Sequence, residues 1–204
     1  MDYSTISKNF PDVSRETFNI LVEYVNLLLS TNKKFNLIGK STEENIWQRH
    51  IIDSVQLINL LNLKNSIVID VGTGAGIPGI ILSICGVEKV YLVESKTKKT
   101  NFLKEAAKLS NNEIIILNER VENIEPIKDA IFVCRAFAPL CKILTLCEKQ
   151  LIISKKIIIP KGENYENEIK EAKKEWQFNF SEHKTITSEK GTILTINNIK
   201  KCKK

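Results

Sequence analysis

Five short apolar runs, at 66–71 (SIVIDV), 89–94 (KVYLVE), 113–118 (EIIILN), 130–134 (AIFVC) and 155–160 (KKIIIP), set the strongest limit on what this chain can fold into. Four of the five are rich in Ile or Val and alternate little, as strands covered on both faces do. The segments 77–85, 96–109 and 140–151 between them are long enough for helices. Strand and helix in alternation predict a parallel, doubly wound α/β sheet. The end of the chain differs. FNFSEHKTIT and TILTINNIK, joined around Gly191, read as an antiparallel hairpin on the sheet edge. With 204 residues there is room for one full domain and a small appendage.

The appendage is at the front. Phe18, Leu21, Val22, Val25, Leu28 and Leu29 follow helical spacing. After a break at 36–40, Ser41 and Glu44 form a capping-box pattern, and Trp47, Ile51, Val55, Ile58 and Leu61 trace a second helical stripe. We therefore divide the chain into a helical extension, 1–65, and an α/β domain, 66–204.

Composition narrows the function classes. The five cysteines (Cys85, Cys134, Cys141, Cys147, Cys202) form no C-x-x-C, and His50 and His183 stand far apart, so neither a metal site nor a disulfide framework is expected. MDYSTISKNFPDVS has no basic-then-apolar leader and no apolar run reaches membrane-spanning length, which reads as a cytoplasmic protein without membrane contact. The net charge is +6, of which Lys200, Lys201, Lys203 and Lys204 supply four in what reads as a solvated tail. A basic surface of this size suits a polyanion without requiring one.

The segment Ile69-Asp70-Val71-Gly72-Thr73-Gly74-Ala75-Gly76-Ile77-Pro78-Gly79 carries the chemistry. A buried strand empties into glycines, which let a ligand approach backbone N–H groups, and a helix follows. Gly74-x-Gly76-x-x-Gly79, with Glu94 twenty residues beyond Gly74, also satisfies the bare dinucleotide pattern. Asp70 favours S-adenosylmethionine instead. A carboxylate at the strand end can meet the cationic amino-acid part of that cofactor, directly or through water, and would repel a pyrophosphate. Glu94 can take both ribose hydroxyls. Gly39-Lys40-Ser41 is no phosphate loop, since Lys34 stands where its first glycine is needed.

Other candidates follow strand ends. Val121 and Glu122, after Arg120, can reach an adenine edge, while Arg135 and Lys161 project into the crevice where open α/β sheets bind ligands. Arg49 and Asp53 could be a helix pair at i, i+4, and His50 is more readily structural than catalytic. Cys134-Arg135-Ala136-Phe137-Ala138-Pro139 lacks the Asn-Pro-Pro-aromatic pattern of enzymes that methylate exocyclic amines. Pro139-x-Cys141 is not the Pro-Cys of those that attack pyrimidine carbon, and Cys134 and Cys141 read as apolar fillers.

Taken together, Asn36-Leu37, Arg49-His50-Ile51-Ile52-Asp53-Ser54, Asp70 to Gly79, Glu94-Ser95 with Lys98-Lys99 and Phe102-Leu103, Arg120-Val121-Glu122, Arg135-Ala136-Phe137-Ala138 and Lys161-Gly162 resemble the small-subunit ribosomal RNA methyltransferase G family over nearly the whole chain. The chain departs from the family's usual residues at Ile38, where Thr is common, and at Lys190-Gly191 before the last strand. The resemblance implies a Rossmann-like class I methyltransferase fold. It also implies S-adenosylmethionine-dependent methylation of guanine N7 in 16S rRNA, free or in a small-subunit particle, by a monomer. Cofactor positions would be Gly72, Ile77, Val121, Glu122 and Arg135, joined by Asp70, Thr73, Gly74, Gly76 and Glu94 from the loop reading. Arg135, Lys161 and Arg49 would orient the acceptor base, and with His50 would contact RNA. Guanine N7 offers a lone pair and no proton, so no general base is demanded. Two other classes fit parts of the pattern: an NAD(P)-dependent oxidoreductase using Lys96, Lys98 and Lys99, and a non-catalytic RNA-binding module.

Overall fold

A computed structural model describes residues 1–202. Seven strands form one sheet in the order β3-β2-β1-β4-β5-β7-β6. The first five along the chain, β1 (Ile67–Val71), β2 (Lys89–Val93), β3 (Glu113–Leu117), β4 (Ile131–Val133) and β5 (Lys156–Lys161), run parallel. The last two, β6 (Trp176–Lys184) and β7 (Thr192–Lys201), pair antiparallel with each other, and β7 with β5. The expected parallel sheet and its antiparallel edge are both present. From β1 the chain winds outward to β3, then returns to place β4 on the other side of β1. The crevice of such a sheet opens at this reversal, beyond the carboxyl ends of β1 and β4.

Both faces are covered. α4 (Gly79–Ile84) and α5 (Thr97–Ala107) lie on one face together with the front of the chain, and α6 (Leu140–Leu146), α7 (Glu148–Leu151) and α8 (Tyr165–Ala172) lie on the other. Strand β1 shows why its sequence does not alternate: Val68 joins the first core and Ile69 and Val71 the second, all essentially buried. The helical front belongs to the first core, where Ile6, Leu21, Leu28, Ile51 and Leu57 pack with Ile80, Leu82 and Leu92. Burying side chains of this size is worth about 1.5–3 kcal/mol each before conformational entropy is counted. Buried Tyr24, whose hydroxyl donates to Ala75 O at 2.7 Å, fastens that front to the glycine loop.

α1 (Tyr3–Asn9), capped by Asp2, precedes the predicted helix, α2 (Arg15–Asn32), whose N-cap is Ser14 accepting from Thr17 N. The second predicted helix is broken. Residues Trp47–Ile52 form a π-helical turn, Asp53–Val55 a single α turn, α3, and Gln56–Leu60 a 3-10 turn. One of its carbonyls, Arg49 O, accepts from Arg135 Nη1 outside the segment, and His50 O is shared between Asp53 N and Ser54 Oγ. The capping box is also absent. Ser41 lies in a 3-10 turn, Lys40–Thr42, without a side-chain cap, and Asn32 organises the break by accepting from Leu37 N and Ile38 N. Nor are Lys200 and Lys201 tail residues. They end β7, with Lys201 paired to Glu148 at 2.8 Å, while Lys203 and Lys204 lie outside the described residues.

Candidate active site

The carboxyl ends of β1, β2, β4 and β5 deliver Gly72, Glu94, Arg135 and Lys161 to one rim of the sheet. Two cavities of about 470 Å³ each open there. The first is walled by Gly72, Glu94, Lys96, Lys99, Val121 and Glu122, and the second by Arg49, Asp53, Arg135, Lys161, Thr185 and Thr187, among others. Ala136, Phe137 and Ala138 line both. That partition is tightly built. A Cβ on Gly72, which has φ +68°, would sit 2.3 Å from the Phe137 ring, and Ala136 adopts φ +51°, which costs a non-glycine residue about 1–2 kcal/mol.

In the first cavity Glu94 is oriented before any ligand arrives. Its two carboxylate oxygens accept from Gly74 N at 3.2 Å and Lys96 N at 2.9 Å, and Lys99 Nζ stands 4.0 Å away. Asp70 is fully buried and does not line the cavity. One of its oxygens accepts from Thr73 Oγ1 and from Gly79 N, which folds the glycine loop and tethers the start of α4. The other, Oδ1, has no partner, and burial lifts the carboxyl from 3.8 to about 6. Thr73, Gly74, Gly76 and Ile77 form the loop behind the wall rather than the wall itself. This set fits S-adenosylmethionine. A partnerless buried acceptor sits next to a glycine cradle, and an oriented carboxylate occupies the end of the neighbouring strand, as the ammonium and ribose of that molecule require.

In the second cavity Arg135 is the centre. Nη1 donates to Arg49 O at 2.7 Å and lies 3.7 Å from Asp53 Oδ2, Nη2 donates to His50 Nδ1 at 2.6 Å, and buried Nε has no partner. Because Nδ1 accepts, the His50 proton is on Nε2 and is donated to Thr42 Oγ1 at 2.8 Å. Burial and the charges of Arg135 and Arg49 push His50 down to about 4, so it is neutral. Thus His50 does not reach the cavity, contrary to the RNA contact expected of it; it holds Arg135. Arg49 and Asp53 do not pair as a helix couple. Asp53 Oδ1 instead accepts from Gln56 Nε2 at 3.0 Å and Thr187 Oγ1 at 2.6 Å, while Gln56 Oε1 takes Thr185 Oγ1 and Ile186 N. These bonds latch the β6–β7 turn onto the front of the chain beside the cavity. No local pattern pointed to Gln56, Thr185 or Thr187, which bond across about 130 residues. Lys161 is only 9% exposed, with Nζ committed to Glu168 at 2.6 Å and Ala138 O at 3.2 Å. Burial raises the thiol of Cys134, consistent with its reading as a filler, while Cys141 is only half-buried.

A doubly wound sheet with a glycine loop after β1, an acid after β2 and paired cavities at the switch point defines a Rossmann-like class I S-adenosylmethionine-dependent methyltransferase. Solved structures agree on the fold. One is ribosomal protein L11 methylase from Lactobacillus delbrueckii subsp. bulgaricus (TM-score 0.56, 18% identity, 71% of this chain and 75% of that one). Another is magnesium protoporphyrin IX methyltransferase from Synechocystis PCC 6803 with bound S-adenosylmethionine (TM-score 0.57, 15% identity, 79% and 86%). The model of the family rRNA small subunit methyltransferase G matches residues 17–197, and this chain belongs to that family. Proteins called ribosomal RNA small subunit methyltransferase G from Rickettsia felis and Rickettsia bellii are each 44% identical to it over 93% of this chain and 98% of theirs. Among the described residues, no helix is long and apolar enough to cross a membrane.

Proposed function

We propose that this chain methylates N7 of a guanine in 16S rRNA, free or within a small-subunit particle, acting as a cytoplasmic monomer without a membrane partner. The observation that carries this reading is the chemistry of the second cavity. Its titratable lining residues are each paired or poor bases: Asp53 is bonded through Oδ1 by Gln56 and Thr187 and lies 3.7 Å from the Arg135 guanidinium, Glu168 is paired with Lys161, and burial raises the Cys134 thiol. His50, just behind, has both ring nitrogens bonded. A pocket without a free base suits a nucleophile that has no proton to lose, and guanine N7 is one.

S-adenosylmethionine supplies an electrophilic methyl group on a sulfonium. Glu94 would take its ribose hydroxyls, Val121 and Glu122 would face its adenine, and Asp70, buried behind the cavity wall, would act on its ammonium through water or across the glycine loop. On the acceptor side Arg135, fixed by His50 and Arg49 O, presents a forked donor that matches guanine O6, and exposed Arg49 can reach the adjoining phosphate. Catalysis is then positioning: base and methyl donor are held in line across the Ala136–Ala138 partition. A cationic pocket does not stabilise the cationic product base, so the arginines orient rather than neutralise. Methyl transfer to naked 16S rRNA, 30S particles and 50S particles tests this reading. Incorporation into 16S rRNA in either of the first two supports it, and incorporation only into 50S particles, or none, refutes it.

A further inference from the structure

Glu168 lies on α8, outside every motif that points to methyl transfer, yet one of its oxygens is the meeting point of two donors. Lys161 Nζ reaches Oε2 at 2.6 Å, and Leu140 N, in the first turn of α6, reaches the same oxygen at 2.7 Å. Lys161 Nζ also donates to Ala138 O at 3.2 Å. The ion pair therefore grips the loop after β4 at two points, a carbonyl and an N–H two residues apart. Between that grip and Arg135 lie the strained Ala136 and Phe137, whose ring packs on Gly72 and lines both cavities.

We propose that Lys161 and Glu168 are a positioning pair that sets the Ala136–Ala138 partition, and that Lys161 acts through this loop rather than by touching RNA. The inference rests on the methyltransferase reading above. Three features support it. Lys161 is nearly buried, its ammonium has two intramolecular acceptors, and its carboxylate partner would weaken its pull on a phosphate. A loop that separates donor and acceptor sites must be placed closely, since a misplacement of roughly 1 Å can cost about 100-fold in rate.

The two roles for Lys161 predict opposite responses to removing Glu168. A phosphate-binding lysine is released by that change, so rRNA affinity should rise and turnover should hold. A clamp is broken by it. In the full chain with S-adenosylmethionine and the 16S substrate that wild type methylates, we expect Glu168→Ala and Lys161→Met each to lower kcat about 10- to 100-fold. KM for the RNA and the salt dependence of RNA binding should not change. The double variant should lose no more than the worse single, because both changes break one device. Glu168→Gln, close in shape, provides a second variant should Glu168→Ala unfold, and is expected to lower kcat in the same direction. Calorimetric titration with S-adenosylmethionine identifies folded variants without recourse to activity. Additive losses in the double variant, an unchanged or higher kcat in a folded Glu168 variant, or a flatter salt slope in Lys161→Met would overturn the clamp. Wild type that binds S-adenosylmethionine but methylates no 16S substrate would instead overturn the functional reading beneath it.

Discussion

Replacing Asp70 by Asn should stabilise the free protein at neutral pH while weakening its hold on the cofactor. Asp70 is completely buried with Oδ1 unpartnered, and its carboxyl is raised from 3.8 to about 6 despite the bonds from Thr73 and Gly79. At 1.36 kcal/mol per pH unit, that difference means the charged form costs the folded chain about 3 kcal/mol above pH 6. The sign follows from proton counts. Between about pH 4 and 6 the folded state binds the Asp70 proton more tightly than the unfolded chain, so this contribution to stability is complete below 4 and lost as pH rises through 6. His50, lowered to about 4, works in the opposite sense over an overlapping range, so the wild-type curve alone is ambiguous. The difference between variant and wild type isolates Asp70. Thermal melts from pH 4 to 8 should show Asp70→Asn gaining about 1–3 kcal/mol above pH 6, which at this chain length is a rise of roughly 2–12 °C. The gain should vanish toward pH 4. The same variant should bind S-adenosylmethionine about tenfold or more weakly, because the acceptor charge for its ammonium is gone. A variant no more stable than wild type at pH 8, or a difference independent of pH, would refute the idea of an uncompensated carboxylate.

Glu94→Ala removes an acceptor already aimed into the cofactor cavity, and calorimetry should record a loss of about 1.5–3 kcal/mol in S-adenosylmethionine binding. Arg49→Ala should leave that binding unchanged while lowering methyl transfer to rRNA, whereas Arg135→Ala, at the start of the loop that divides the two sites, should weaken both. His50→Ala deprives Arg135 of its 2.6 Å acceptor and should slow transfer about tenfold. Since His50 is neutral down to about pH 4, no step near 6.5 in the wild-type rate profile at saturating S-adenosylmethionine should depend on it; such a step, abolished in His50→Ala, would contradict a base-free mechanism.

What could be read from the sequence was local. The glycine loop, Glu94, Arg135 and Lys161 each follow directly on an apolar run, so finding the strands located them. The parallel sheet and its antiparallel edge were legible for the same reason, but the order of the strands was not. Contacts that cross the chain were not. His50 could be called structural, but its service to Arg135 depends on an interaction spanning 85 residues. Apolar spacing at 47–61 predicted one helix because the pattern cannot show that Arg135 reaches Arg49 O and that Ser54 Oγ shares His50 O with Asp53 N. Asp70 was recognised as a site residue from its place at a strand end, yet its first task, folding the loop through Thr73 and Gly79, appears only with the backbone in place. Glu168 belongs to no motif, and its part shows only once α8 is packed on α6 with Lys161 in reach.

The most direct test of the central claim is the identity of the methylated nucleoside. The purified chain, S-adenosylmethionine carrying a labelled methyl group, and 16S rRNA or 30S particles would be incubated, and the RNA digested to nucleosides for mass spectrometry. The account predicts label in N7-methylguanosine at a single site, with wild type active and Arg135→Ala greatly reduced. Label on an exocyclic amine, a ring carbon or a ribose hydroxyl would contradict it, because each of those acceptors must shed a proton that no free group in the second cavity is placed to take.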